Sequence, residues 1–153
     1  MKTLSPSFTV NDLQKSIRFF EGLGFVVDER WEEGGALLGV MLRAGEARIG
    51  LSQDDWKKGR DRQKGVGMRL FLSTTQDINQ LAERVKQAGI SLDSEPHDSE
   101  WGSRVFDVTE PSGTIARKDE GPLGELNPRY ATREPPSPAK HSVDVGLPHA
   151  RRG

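Results

Sequence analysis

The sequence predicts an α+β fold built from two βαβββ units and followed by an irregular C-terminal tail. The first observation is that segments with a hydrophobic period of two alternate with segments of helical period, in the same order twice. The second is that a shift of 65 residues aligns the two helical segments without a gap. The third is a change of composition near residue 118, because six of the nine prolines lie beyond it.

The first unit, residues 4–52, opens with a strand in which Phe8 and Val10 share one face and polar residues occupy the other. Asn11 or Asp12 then offers an N-cap for a helix with regularly spaced apolar residues, which a glycine near residue 24 ends. Three strand-like segments separated by turns follow, at residues 25–31, 36–43 and 47–52.

The second unit, residues 67–117, repeats this order. The shift of 65 aligns the cap Asp12 with Asp77 and the helix-ending Gly24 with Gly89. Glycine suits the end of a helix because it adopts the left-handed conformation easily. Apolar positions agree as well: Leu13 with Ile78, Phe20 with Val85 and Phe25 with Ile90. Together these agreements indicate an internal repeat.

The two units and a linker, the polar residues 53–66, make up a paired domain over residues 1–118. Residues 119–153 are rich in proline, with scattered apolar residues. Such a segment cannot bury enough apolar surface to offset its ordering entropy. We therefore expect a mobile or loosely docked tail, and prefer a solvated coil to a partner-binding arm.

The composition excludes several classes of protein. Net charge is -1, with 22 basic and 23 acidic side chains, which does not suit a nucleic-acid binder. No cysteine is present, so disulfides and thiolate chemistry are excluded. There is neither a signal-peptide pattern nor a run near the roughly 20 apolar residues that cross a bilayer. We expect a soluble, cytoplasmic protein with neither nucleic-acid nor membrane partners.

Three motifs resemble the glyoxalase/bleomycin-resistance/extradiol dioxygenase superfamily, also called the vicinal oxygen chelate superfamily. The first is Asp12-Leu13, a serine at 16, an aromatic pair and Leu-Gly-Phe at 23–25. The second is the helix of residues 77–89. The third is Trp-Gly at 101–102, a strand, and the hairpin Glu-Pro-Ser-Gly at 110–113, with Glu and Ser in place of two aspartates. The resemblance covers about residues 4–117.

This resemblance implies that the two units form a U-shaped mixed sheet, whose concave face holds a ligand and whose convex face carries the helices. It also implies metal ligands, in the metal-dependent members, at positions that this chain fills with Ser5, Leu70 and Arg117. None of these side chains is a competent ligand for a divalent metal. The resemblance is therefore closest to metal-free, bleomycin-resistance-like members, and we expect no metal, no cofactor and no catalytic residues. Chelation by carboxylates stays open as an alternative, although they are more simply surface charges: Asp28, Glu29, Asp107 and Glu110.

The expected ligand-binding residues combine strand positions facing the cavity with tryptophans near its rim: Ser7, Trp31, Trp56, Met68, Leu70, Leu72, Trp101 and Arg104. Tryptophan offers a flat surface for stacking and for cations. Each tryptophan could instead be a packing residue, and Arg104 could instead pair with an acid such as Glu100. Acidic segments at residues 28–33 and 93–100 would favour a positively charged ligand, or simply be solvated.

The function that follows is a metal-free small-molecule-binding protein that sequesters a flat aromatic or cationic compound, as in drug resistance. One alternative is a superfamily enzyme (lyase, isomerase or dioxygenase) with an atypical site, against which the missing metal ligands argue. The other is a non-catalytic regulatory module. We also expect a homodimer, because the resemblance implies one and a weak last strand at residues 114–117 would leave an open sheet edge.

Overall fold

The computed structural model describes residues 4–60, 64, 68–112, 115–120 and 142–146. These residues form two helices and nine strands in a β-α-β-β-β order that occurs twice, with one further strand. The elements are β1 (Ser7–Val10), α1 (Leu13–Gly22), β2 (Val26–Glu33), β3 (Ala36–Ala44), β4 (Ala47–Gln53), β5 (Arg69–Ser73), α2 (Ile78–Gln87), β6 (Leu92–Asp98), β7 (Arg104–Thr109), β8 (Ile115–Glu120) and β9 (Ser142–Gly146).

The strands form two sheets of mixed direction, which confirms the predicted α+β fold class. In the first sheet the order is β1-β4-β3-β2, with β1 parallel to β4 and the other neighbours antiparallel. In the second sheet β5 pairs in parallel with β8. Strand β8 then pairs antiparallel with β7, and β7 pairs antiparallel with β6. Strand β9 pairs antiparallel with both β5 and β8. Each unit therefore places its fourth strand beside its first.

The two helices confirm the internal repeat. Each has ten residues, and 65 positions separate both their first and their last residues. Asp12 Oδ1 accepts a hydrogen bond from the backbone N–H of Lys15 at 3.0 Å. Asp77 Oδ1 accepts one from the N–H of Gln80 at 2.8 Å. These are equivalent N-caps, in which a carboxylate satisfies a backbone donor of the first turn. Neither helix is long and apolar enough to cross a membrane, among the residues that the structure describes.

The helices also end alike. Gly24 and Gly89 have φ of 93° and 81°, in the region that other residues adopt only at a cost. The next residue in each unit donates its N–H back into the helix, from Phe25 to the carbonyl of Phe20 at 3.0 Å, and from Ile90 to that of Val85 at 3.2 Å. This arrangement satisfies carbonyls at the helix end and turns the chain into the following strand segment.

One hydrophobic core serves both units. The buried faces of α1 and α2 pack with alternate residues of β1, β3, β4 and β7. The end of α1 approaches the segment that follows α2 at Gly22, where a Cβ atom would lie 2.6 Å from Ile90 Cδ1 and 3.1 Å from Ala88 Cβ. Because the helices cover one face of each sheet, the opposite faces are the ones open to a ligand. The core includes Val10, Leu13, Ile17, Phe20, Val40, Leu42, Ile49, Leu51, Ile78, Leu81, Val85, Phe106 and Val108.

Strand β5 presents different residues from those predicted. Leu70 and Leu72 pack against the core, whereas Phe71 between them is 58% exposed. The 65-residue shift aligns the two leucines with Ser5 and the exposed Ser7, but this shift does not extend to the strands. Phe8 and Val10 of β1 pack against the core as Leu70 and Leu72 do, and the shift between these pairs is 62 instead of 65, a difference of three. Because side chains alternate along a strand, a change of register by an odd number moves a residue to the opposite face.

The last strands also differ from the expectation. Strand β8 extends to Glu120 and lies between β7 and β9, so it is not an open edge. The edge argument for a homodimer was therefore wrong, and the homodimer itself stays a prediction. Strand β9 falls within the predicted tail, and the rest of residues 121–153 lies outside the described residues, as do linker residues 61–63 and 65–67.

Candidate ligand-binding site

The first sheet has an open face, which we define as the side opposite α1. Its floor consists mainly of small residues that lie side by side across the strands. One row runs from Thr9 through Ser52 and Gly39 to Trp31, and a second from Ser7 through Gly50 and Met41 to Glu29. Small side chains leave room above a sheet for a bound molecule, and the hydroxyl groups supply hydrogen-bond donors and acceptors.

Trp31 borders this floor because its neighbour in β3 is a glycine. A Cβ atom at Gly39 would lie 3.1 Å from Cε3 of Trp31 and 2.8 Å from the carbonyl oxygen of Leu51. The indole ring therefore covers Gly39 and lies against the backbone of the adjacent strand. The Trp31 side chain remains 44% exposed. One face of a large aromatic ring is thus held in place while part of its surface contacts solvent.

Two acidic residues flank Trp31 on the same face of β2, at the alternate positions Glu29 and Glu33. Arg48 Nη2 lies 2.7 Å from Glu29 Oε1 and 2.7 Å from Asp28 Oδ2. The charge of Glu29 is therefore largely offset. No ion pair is recorded for Glu33 among the described part of the chain, and its carboxylate is exposed. Glu33 is consequently the acid beside Trp31 that can attract a positively charged group.

Trp56 was predicted to bind a ligand, but its ring already carries cations of the chain. Lys64 Nζ lies 4.5 Å from the ring centroid and Arg60 Cζ 5.0 Å from it. Lys64 Nζ also pairs with Asp54 Oδ2 at 2.5 Å, and these two side chains are 7% and 2% exposed. Asp54 Oδ1 further accepts the N–H of Trp56 at 2.9 Å, which holds that residue at a φ of 60°, a strained value for a bulky side chain.

Arg104 lies on the side of the second sheet that faces α2, and not on the side opposite the helix, contrary to the prediction. It shares one face of β7 with the core residues Phe106 and Val108, and its Nε donates to Asn79 Oδ1 of α2 at 3.1 Å. Its Nη1 pairs with Asp98 Oδ1 at 2.9 Å. The alternative that Arg104 pairs with a nearby acid is therefore the correct one, although its partner is Asp98 and not Glu100. Which acid Arg104 contacts depends on how α2 packs on the sheet.

The remaining predicted residues lie in different places. Ser7 is on the open face of the first sheet, opposite Gly50. Met68 precedes β5 and is 42% exposed, and Trp101 lies in the turn between β6 and β7 with 44% exposure. Leu70 and Leu72 belong to the core side, as described above. Whether any of these residues binds a ligand stays a prediction.

A buried carboxyl group lies at the junction between the units, at a position that the sequence predicted as part of a hairpin and as one of the carboxylates open to chelation. Glu110 is 1% exposed and contacts the hydroxyl of Ser16 in α1, while its Oε2 accepts the N–H of Ser112 at 2.8 Å. Ser112 Oγ in turn accepts the N–H of Asn11 at 2.8 Å. Burial raises the pKa of Glu110, against the hydrogen bonds with Ser16 and Ser112 and the charge of Lys64.

The carboxylates considered as alternative metal ligands are dispersed. Asp28 and Glu29 contact Arg48, Glu110 contacts Ser16, and Asp107 Oδ2 accepts the hydroxyl of Ser94 at 2.6 Å. Over the residues that the structure describes, histidine and acidic side chains do not assemble in a group of three or more that could hold a metal ion.

Comparisons with solved structures show where this fold occurs. Glyoxalase I from Zea mays is 21% identical, with a TM-score of 0.61 over 73% of this chain, which spans 42% of that one. A virulence protein from Salmonella typhimurium is 24% identical, with a TM-score of 0.54 and coverage of 75% and 92%. A superfamily member from Sphaerobacter thermophilus is 20% identical, with a TM-score of 0.54 and coverage of 74% and 91%. At these identities the likeness concerns the fold alone.

Sequence comparisons identify the family. None of the curated proteins matches the chain. A family model described as Glyoxalase/Bleomycin resistance protein/Dioxygenase superfamily matches residues 4–115, which include the first βαβββ unit and the second unit up to the start of β8. The repeated order of elements and the parallel pairing of first and fourth strands agree with that match. The chain belongs to the glyoxalase/bleomycin resistance protein/dioxygenase superfamily.

Proposed function

We propose that the protein binds and sequesters a small molecule with a flat aromatic part and a positive group, and that it does so on the open face of the first sheet without chemical conversion. The observation that carries this proposal is the position of Trp31. Its ring is held against Gly39, is 44% exposed, and shares its strand face with Glu33. A flat ring stacks on the indole while a positive group on the ligand approaches the carboxylate.

The charges around Trp31 support a cationic ligand. An aromatic face attracts a cation with about 0.5–2 kcal/mol, and a nearby unpaired carboxylate adds to this. Arg48 and Arg43, whose Nε lies 3.5 Å from Asp28 Oδ1, together offset Glu29 and Asp28, so Glu33 is the acid that gains most from a positively charged partner. Hydroxyls of Ser7 and Ser52 lie on the same face and can orient polar groups of the ligand.

The experiment measures binding of planar cationic dyes, such as ethidium and proflavine, with bleomycin and neutral planar analogues in the same panel. Thermal shift identifies a binder because a ligand of the folded state raises its stability. Affinity of that binder is then compared between wild type, Trp31→Ala and Glu33→Gln. We expect Trp31→Ala to weaken binding about 2- to 30-fold, the equivalent of 0.5–2 kcal/mol.

The matched control is Glu32→Gln. Glu32 is adjacent in sequence and carries the same charge, but it is paired with Leu37 and lies on the opposite face of β2. We expect Glu33→Gln to lower the affinity for cationic dyes several-fold and Glu32→Gln to leave it unchanged. Equal effects of the two substitutions would mean that only overall charge matters. Unchanged binding to Trp31→Ala would place the ligand elsewhere, and Trp101→Ala then tests the turn between β6 and β7.

A further inference from the structure

The junction between the units holds two buried carboxyl groups and one buried ammonium group. Lys64 pairs with Asp54 at 2.5 Å, and both side chains are buried. Among the described residues Glu110 forms no ion pair, and the charge of Lys64 acts on it only from the pair with Asp54. The other charged groups on the surrounding elements point away from it: Asp12 caps α1 through the N–H of Lys15, Lys15 lies beside Asp12 at 3.7 Å, and Asp107 of β7 faces Ser94. A charged Glu110 would therefore be a buried charge that Lys64, already paired with Asp54, offsets only in part, which is costly.

The hydrogen bonds at this junction also provide a place for a proton on Glu110. The Ser16 hydroxyl has one hydrogen, and its oxygen lies 3.1 Å from the carbonyl oxygen of Asp12 as well as within bonding distance of Glu110 Oε1. It can donate to one of these acceptors only. If Ser16 donates to the Asp12 carbonyl, a proton on Oε1 of Glu110 completes the second hydrogen bond. Oε2 then acts as the carbonyl-like acceptor for the N–H of Ser112.

We propose that Glu110 keeps its proton in the folded protein and donates it in a hydrogen bond to Ser16. This hydrogen bond, which we call the latch, joins the hairpin of the second unit to the helix of the first unit. It weakens when the carboxyl group ionises. The latch spans 94 positions of the sequence, and the hydrogen bond from Asn11 to Ser112 runs beside it. Ionisation removes the donor from Oε1 and leaves a negative charge in the buried junction.

The sign of the pH dependence follows from this protonation. A carboxyl group whose pKa is raised by folding contributes stability that is fully present below its unfolded pKa and is lost as pH rises through its folded pKa. Between those two values the folded state holds one proton more than the unfolded state. The unfolding equilibrium constant contributed by Glu110 should therefore rise tenfold for each pH unit in that window.

The direct test is an NMR titration of the side-chain carboxyl carbons of glutamate in the intact wild-type protein, with Glu110 assigned by loss of its signal in Glu110→Gln. We expect Glu110 to titrate at a higher pH in the folded protein than in the urea-unfolded chain. Titration of Glu110 at the same pH in both states would overturn the proposal. If Glu110→Gln does not fold, the Glu110 signal is assigned through its bonds to the backbone in the wild type, and the titration is still measured on the wild type.

Ser16→Ala separates the two directions of the hydrogen bond. If Ser16 accepts the proton of Glu110, removing its oxygen destabilises the neutral carboxyl group, and the titration midpoint of Glu110 falls. If Ser16 instead donates to a carboxylate, the same substitution raises the midpoint. A raised or unchanged midpoint would overturn the latch.

Urea unfolding between pH 4 and 8 gives the consequence for stability. We expect the stability difference between wild type and Glu110→Gln to shift against the wild type as pH rises, since the glutamine keeps its neutral donor and acceptor at every pH. Glu46→Gln, the same change in the exposed turn between β3 and β4, controls for removal of one carboxyl group. A difference between wild type and Glu110→Gln that does not change with pH would contradict the proposal.

Discussion

Gly39→Ala tests how the floor of the open face holds Trp31. A Cβ atom at this position would lie 2.8 Å from the carbonyl oxygen of Leu51 and 3.1 Å from Cε3 of Trp31, whereas ordinary contact begins at 3.4 Å. The backbone oxygen must therefore give 3.4 − 2.8 = 0.6 Å and the ring 3.4 − 3.1 = 0.3 Å. Because the oxygen belongs to the neighbouring strand, the sheet must adjust as well as the side chain.

The expected cost follows from two opposing effects. Overpacking of a well-packed site costs about 1–3 kcal/mol. Replacing glycine by alanine in a strand recovers about 0.5–1 kcal/mol of backbone entropy. From the middle of each range we expect a net loss of about 1 kcal/mol in the free energy of unfolding. For a chain of this size that loss lowers the Tm by about 2–4 °C.

The assay combines urea unfolding, followed by circular dichroism, with the indole N–H NMR signal of Trp31. Gly50→Ala is the matched control, since Gly50 lies on the same face in the adjacent strand and a Cβ atom there meets the Ser7 hydroxyl at 2.9 Å, Ser7 Cβ at 3.2 Å and the nearest backbone atom at 3.6 Å. The hydroxyl can rotate and the backbone lies farther away than at Gly39, so the control should lose less stability. Equal stability of Gly39→Ala and wild type, or an unmoved Trp31 signal, would refute the reasoning.

Two further predictions concern stability alone. Asp54→Asn should lower the free energy of unfolding by about 3–5 kcal/mol, because it leaves the buried Lys64 without its charged partner. Chemical denaturation should show this loss for Asp54→Asn and not for the control Asp55→Asn, which changes an exposed residue. Asp12→Ala and Asp77→Ala should each cost about 0.5–2 kcal/mol, as they remove equivalent N-caps; a clear loss for one and none for the other, by the same denaturation, would contradict their equivalence.

The helices and their ends were predictable because their signals are local. An aspartate that caps a first turn and a glycine that ends the last turn act within a few residues, so the shift of 65 gave both helices with the correct bounds relative to each other. The family could also be predicted, since its motifs are short segments of sequence in a fixed order.

The face that each strand presents was harder to predict. The helix shift of 65 was carried into β5, whereas the core-facing residues of β1 and β5 are related by a shift of 62, so that Leu70 and Leu72 face the core and Phe71 the opposite side. Within β5 itself Phe71 shares its face with Arg69 and Ser73, so the alternation of the strand favours the two leucines as its core face. Packing against α2 agrees with the alternation of the strand and not with the shift of the helices.

The sequence by itself determined the two βαβββ units, their caps and their family, because each of these depends on residues close together in the chain. The tertiary structure alone decided the partners of the polar groups. Lys64 with Asp54 and Trp56, Arg104 with Asn79, and Glu110 with Ser16 are contacts that charge and spacing leave open. A buried charge or hydrogen-bonding group must find a partner, but which partner it finds depends on the approach of distant segments when the units pack.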